Sequence, residues 1–86
     1  PPGALAALAR DADKWTRRNV AANPATPEAL LALALDDAEV EVRFAVTWRP
    51  TVPAAVLERL AADPSPTARA WAAWRIARDR AATTLR

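Results

Sequence analysis

The chain has 86 residues, with 12 Lys and Arg against 10 Asp and Glu and a formal net charge of +2. It contains no Cys and no His, which excludes disulfides, thiolate-bound metals and clusters held by this chain, and the commonest general base. A single Gly excludes a Gly-rich phosphate loop, and 52% hydrophobic residues, rich in Ala and Leu with Val scattered rather than alternating, point to an all-α fold.

The chain repeats itself at a spacing of 26 residues. Pro1, Pro27 and Pro53 share one column, as do Leu5, Leu31 and Leu57; Asp11, Asp37 and Asp63; Arg17, Arg43 and Arg69; and Val20, Val46 and Ala72. A fixed period of this size is the mark of stacked supersecondary units that bury a shared core. The expected architecture is one domain over 1–86, a right-handed α-solenoid of three two-helix repeats at about 1–26, 27–52 and 53–86.

In the first copy, Ala4, Leu5, Leu8 and Ala9 form the apolar face of helix A, a turn carries Asp11, and helix B starts after Asp13. Pro24 stops that helix. In the second copy Thr26 is a candidate N-cap, with Pro27 at the first helical position and Glu28 in the first turn, where the helix dipole favours a negative charge. Leu30, Leu31, Ala34 and Leu35 make its apolar face; helix B starts after Glu39 and ends before Pro50. In the third copy the face is Val56, Leu57, Leu60 and Ala61, and Ser65-Pro66 opens helix B. Position 76 is Ile where proline is due, so one helix is predicted from about 66 to 83, in the role of a terminal cap.

These motifs resemble the leucine-rich repeat variant family, a relative of HEAT repeats. The family pattern is roughly V-R-x-A-V-A-x-N-P, a short gap, then L-x-x-L-A-x-D-P. Val42, Arg43, Ala45, Val46 and Pro50 match it; so do Arg17, Val20, Ala21, Asn23 and Pro24, and then Leu57, Leu60, Ala61, Asp63 and Pro64. The resemblance covers nearly the whole chain. It implies a right-handed superhelix of α-helices and shorter, sometimes 3₁₀, helices that serves as an interaction scaffold. The iron–sulfur cluster of one family member sits on a Cys-rich extension and does not transfer to a chain without Cys; no cofactor is expected. HEAT-like repeats also pair a turn Asp with a basic residue six positions on, the spacing of Asp11–Arg17, Asp37–Arg43 and Asp63–Arg69. Each guanidinium has five donors for its own or a neighbouring Asp, and the carboxylate of its own copy is the expected partner. The functional alternative for these arginines is an anion site.

No hydroxyl lies beside an evident base, and the carboxylate pairs Asp36-Asp37 and Glu39/Glu41 read as solvated helix ends, so the chain is read as a non-enzyme. The candidate site is a ridge on the helix B face. Two positions four apart fall outside the core pattern: Arg18, Phe44 and Ala70 in one column, Ala22, Trp48 and Trp74 in the other. Arg49 and Arg75 follow Asn23 in the next column. Arg18, Phe44, Trp48, Arg49, Trp74, Arg75 and Arg78 together form a candidate strip for a protein or peptide partner, since aromatic residues and Arg dominate binding hot spots. The same rings also fit a structural role, shielding the small Ala residues beside them. Trp71 replaces Ala in its column and is expected to fill space in the last copy; Trp15 fits either packing or an edge contact.

Charge is uneven: residues 26–64 hold three basic and seven acidic side chains, residues 65–86 five and one. A second reading is therefore a nucleic-acid module using Trp with Arg69, Arg75, Arg78, Arg80 and Arg86. A third is a purely structural or self-associating segment of a longer array. The longest apolar run is far short of the ~20 residues that span a bilayer, so no membrane role is expected. No signal peptide is visible and the sequence opens on Pro1 rather than Met, so it reads as a soluble piece, either trimmed or cut from a longer protein; a cytoplasmic location is expected.

Overall fold

The computed structural model describes residues 2–84, which leaves Pro1, Leu85 and Arg86 outside the described residues. The chain is all helical, and no strand occurs among the described residues. Six α-helices follow in order: α1 (Pro2–Leu8), α2 (Lys14–Ala22), α3 (Leu31–Leu35), α4 (Val40–Ala45), α5 (Ala54–Ala61) and α6 (Pro66–Thr84). A 3₁₀ turn, Glu28–Leu30, leads into α3, and a second, Val46–Trp48, extends α4. No described helix is long and apolar enough to cross a membrane.

Most boundaries have a local cause. Asp13 caps α2 by accepting the Thr16 N–H at 3.0 Å, and Pro66 opens α6 behind Ser65, whose hydroxyl oxygen accepts the Thr67 N–H. Helix α2 and the second 3₁₀ turn both stop two residues short of a proline, Pro24 and Pro50. With Ile76 in place of a third such proline, α6 runs unbroken for 19 residues.

Thr26 departs from expectation. It does not cap a helix: its buried hydroxyl donates to the Val20 carbonyl at 2.6 Å, closing the end of α2. Pro27 consequently takes the N-cap position in an extended conformation, and the helix it introduces begins as the tighter 3₁₀ form. Pro53 stands in the same way before α5.

The core is built from Ala21, Leu31, Ala34, Leu35, Val42, Ala45, Val46, Leu60, Ala68 and Ala72. Helix α4 lies between α2 and α6, and α5 packs along α6. Alanines at 45, 68 and 72 are fully buried, and such small side chains allow close helix approach while the leucines fill the space between them. The expected helix faces are not buried throughout: Ala61 of α5 is exposed, and the face of the first helix departs further. Leu5 is half-buried and Leu8 is exposed, because α1 has helices on one side only.

The 26-residue spacing recurs in the hydrogen bonds. In all three copies the turn Asp accepts the N–H two residues on: Asp13 to Asp11 at 2.8 Å, Glu39 to Asp37 at 2.9 Å, Ser65 to Asp63 at 2.8 Å. In all three, the arginine six residues later donates through Nη1 to two turn carbonyls. These are Asp11 and Ala12 for Arg17, Asp37 and Ala38 for Arg43, and Asp63 and Pro64 for Arg69. The carboxylate partner, however, lies in the following copy rather than in the arginine's own. Arg17 grips Asp37 through Nε and Nη2 at 2.7 and 3.2 Å, and Arg43 grips Asp63 at 2.8 and 3.1 Å. The planar guanidinium explains this: with one edge held on its own turn carbonyls, its other fork points outward to the next carboxylate.

Hydrogen bonds from Arg43 hold the Asp63 carboxyl below its usual range against the opposing effect of burial; the Ser65 N–H and the charges of Arg43 and Arg69 add to the shift. For Asp37, burial is the largest influence and works upward, but the bonds from Arg17 and the Glu39 N–H outweigh it and the net direction is again down. A carboxylate depressed in the folded state stabilises fully above its unfolded value of about 3.9 and loses that contribution as pH falls through the folded value. Urea midpoints are therefore expected to hold steady from neutral to mildly acidic pH and to drop below about pH 4. Asp63→Asn should be less stable at neutral pH and should show a shallower acid decline; profiles parallel to wild type would remove the carboxylate from this role.

Candidate partner-binding surface

Four aromatic side chains from α4, its 3₁₀ extension and α6 meet on one surface. Phe44 and Trp48 are one helical turn apart, as are Trp71 and Trp74, so each pair shares a face. Trp71 is the hub. It stacks on Phe44 with centroids 5.7 Å apart, and meets Trp48 and Trp74 edge to face at 5.6 and 5.5 Å. Phe44 and Trp48 also meet edge to face at 5.6 Å. These geometries suit aromatic quadrupoles and hold the rings in fixed mutual orientation. Phe44 and Trp71 are half-buried, while Trp48 and Trp74 remain 40% and 47% exposed. The Arg78 guanidinium lies over Trp74, 5.7 Å from its centroid, and adds a cation at the rim.

Of the residues expected in the strip, Phe44, Trp48, Trp74 and Arg78 therefore come together. Trp71 belongs with them rather than filling interior space. Ala45, at the same register, is fully buried in α4, which packs against both α2 and α6, whereas Trp71 is only half-buried and its ring reaches the surface. The Ala-to-Trp change in that column was the signal for it. Arg18 goes elsewhere: its guanidinium lies 4.9 Å from the centroid of Trp15, which Lys14 also approaches, and its Nη2 donates to Asn19 at 3.1 Å.

Arg49 and Arg75 are corrections. Both are buried and neither is available to a partner. Arg49 donates to the Asn23 carbonyl at 2.7 Å and the Thr26 carbonyl at 2.9 Å. Arg75 donates to the carbonyls of Thr47 at 2.8 Å, Pro50 at 2.7 Å and also Arg49, while its Nε donates to Asp79 at 2.9 Å. The physical reason lies in the stopped helices. Where Pro24 and Pro50 end helical pairing, the last carbonyls are left without N–H partners, and the dipole makes that end negative. A guanidinium from the next copy supplies both donors and charge. The Arg49 Nε, at a position without an equivalent of Asp79, has no partner among the described residues.

With Arg75 inside, Arg78 is the basic residue placed against these rings, fewer than the sequence suggested. Among the described residues no group of three or more acidic side chains converges as metal ligands would. Comparison of the chain with protein-family models, curated proteins and solved structures returns no match.

Proposed function

We propose that the chain is a non-catalytic helical-repeat scaffold, a right-handed solenoid of three two-helix units like those of the leucine-rich repeat variant family. It binds a protein or peptide partner on the Phe44–Trp48–Trp71–Trp74 surface. The observation that carries this is the pair of half-exposed indoles, Trp48 and Trp74, held in place by a third, Trp71. Rigid aromatic rings with a flanking Arg offer large contact area at small entropic cost, which is how interface hot spots are built. The recurrence of the turn bonds at 26-residue intervals supports the repeat architecture.

The test is a displayed peptide library panned on the wild-type chain, with Trp48→Ala/Trp74→Ala as the counter-selection. The double variant is expected to keep wild-type helicity, since neither ring belongs to the buried core, and to lose at least about 2 kcal/mol of binding to enriched peptides. Enriched peptides that bind the double variant equally well would sink the assignment. So would salt-tolerant binding of a mixed-sequence oligonucleotide with Trp quenching, which would make single strands the ligand.

A further inference from the structure

The junction between neighbouring copies is made twice inside the chain, and its two halves are also found separately, one at each end. Leu8, Ala34 and Leu60 occupy one register position; Ala34 and Leu60 are buried, Leu60 to 1%, while Leu8 is 41% exposed. Ala21, Thr47 and Ala73 occupy another, and here the last copy is the exception: Ala21 and Thr47 are buried and Ala73 is exposed. Arg17 and Arg43 each hold a carboxylate of the following copy. Arg69 is exposed and preset on its own turn carbonyls at 2.8 and 3.0 Å, and grips no carboxylate among the described residues. The Asp11 carboxylate accepts the same turn bond as those of Asp37 and Asp63, yet no guanidinium grips it among the described residues.

We propose that the chain associates end to end with a second copy of itself, the Arg69–Ala73 face of one copy meeting the Asp11–Leu8 face of the next. The proposal uses the repeat register of the preceding section and does not depend on the aromatic surface. The occupant follows from complementarity. One end carries a guanidinium already oriented as Arg17 and Arg43 are, and the other a carboxylate already oriented as Asp37 and Asp63 are. Leu5 and Leu8 stand where Leu31 and Ala34 are covered in the second copy, so the acceptor end also has an apolar surface to bury. That matters because an exposed ion pair alone contributes little. The extra length of α6 leaves the donor end open. Beyond Arg75 it lies along α5, where Ile76 and Arg80 share a groove with Val52 and Leu57, and does not fold over Arg69 or Ala73. Because the two surfaces differ, the contact is heterologous and grows into open chains rather than closing as a dimer.

Sedimentation velocity of the 86-residue chain over a concentration series tests this. The weight-average mass is expected to pass about twice the monomer value and keep rising, and to fall back with added salt. Leu8→Glu disables one end and Arg69→Glu the other, both at exposed positions; each variant alone should stay monomeric with wild-type helicity. Their equimolar mixture should give a 1:1 complex and nothing longer, since each contributes one intact face and the two altered faces repel. Trp48→Ala/Trp74→Ala should associate as the wild type does, which separates this surface from the peptide site. A wild-type chain monomeric throughout the series overturns the proposal. So does a saturating dimer that both variants retain, or a mixture that stays monomeric.

Discussion

Leu31→Asp is expected to leave the chain unfolded at neutral pH. Leu31 is 2% exposed and packs among Ala21, Ala34, Leu35 and the α4 valines. Burying a leucine of this kind is worth about 1.5–3 kcal/mol, all of which is lost. The larger effect is the carboxylate, which no arginine in this cluster is placed to meet. Whether it stays charged or takes up a proton, the cost is several kcal/mol. A domain of this length has a total stability of only about 5–10 kcal/mol. Far-ultraviolet circular dichroism with a urea titration is the measurement. A variant with wild-type helicity and a midpoint close to wild type would show that Leu31 does not sit in the core.

Arg75→Ala is expected to cost about 3–5 kcal/mol, as truncating one partner in a buried charged network does. The side chain is 2% exposed, the bulkiest of the fully buried residues, and three backbone carbonyls depend on its Nη atoms. Alanine would leave those carbonyls short of donors and open a cavity between α6 and the end of the second 3₁₀ turn. Arg75→Lys should recover only part of the loss, because one ammonium cannot reach the positions of the planar fork. Arg78→Ala is the control and should stay within about 0.5 kcal/mol of wild type. Equal denaturant midpoints for the Arg75 and Arg78 variants would refute a structural role for Arg75.

The helix limits were legible because prolines act locally. Pro24, Pro50 and Pro66 each bear on the residues beside them, and Ile76 removes the same constraint, so α6 could be foreseen as one helix. The direction of Arg49 and Arg75 was not foreseen from periodicity, which placed their column next to an exposed one. A chemical clue was nevertheless present. Both stand in the column of Asn23, immediately before the position of the stopping proline, where freed carbonyls accumulate. A donor-rich side chain at that point has work to do inside. The Arg17–Asp37 pairing was open as an alternative but not the expected one, for a different reason. A spacing of six brings an arginine near its own Asp, and only the three-dimensional turn shows that the Asp offers its carbonyl there and its carboxylate elsewhere. The aromatic surface was half legible: Phe44, Trp48 and Trp74 followed from register, whereas the central place of Trp71 shows only in its ring contacts with Phe44, Trp48 and Trp74.

The ladder of arginine bonds also bears on how the chain reaches its folded state. The side-chain hydrogen bonds that join one copy to another span 20 to 28 residues, and none reaches from the first copy to the third among the described residues. Loop closure over so short a stretch costs little entropy, and topologies dominated by near-neighbour contacts have low contact order and fold rapidly. In the proposed repeat architecture, either adjacent pair of copies is able to nucleate, because each pair contains a complete junction, and the remaining copy then adds to a preformed edge.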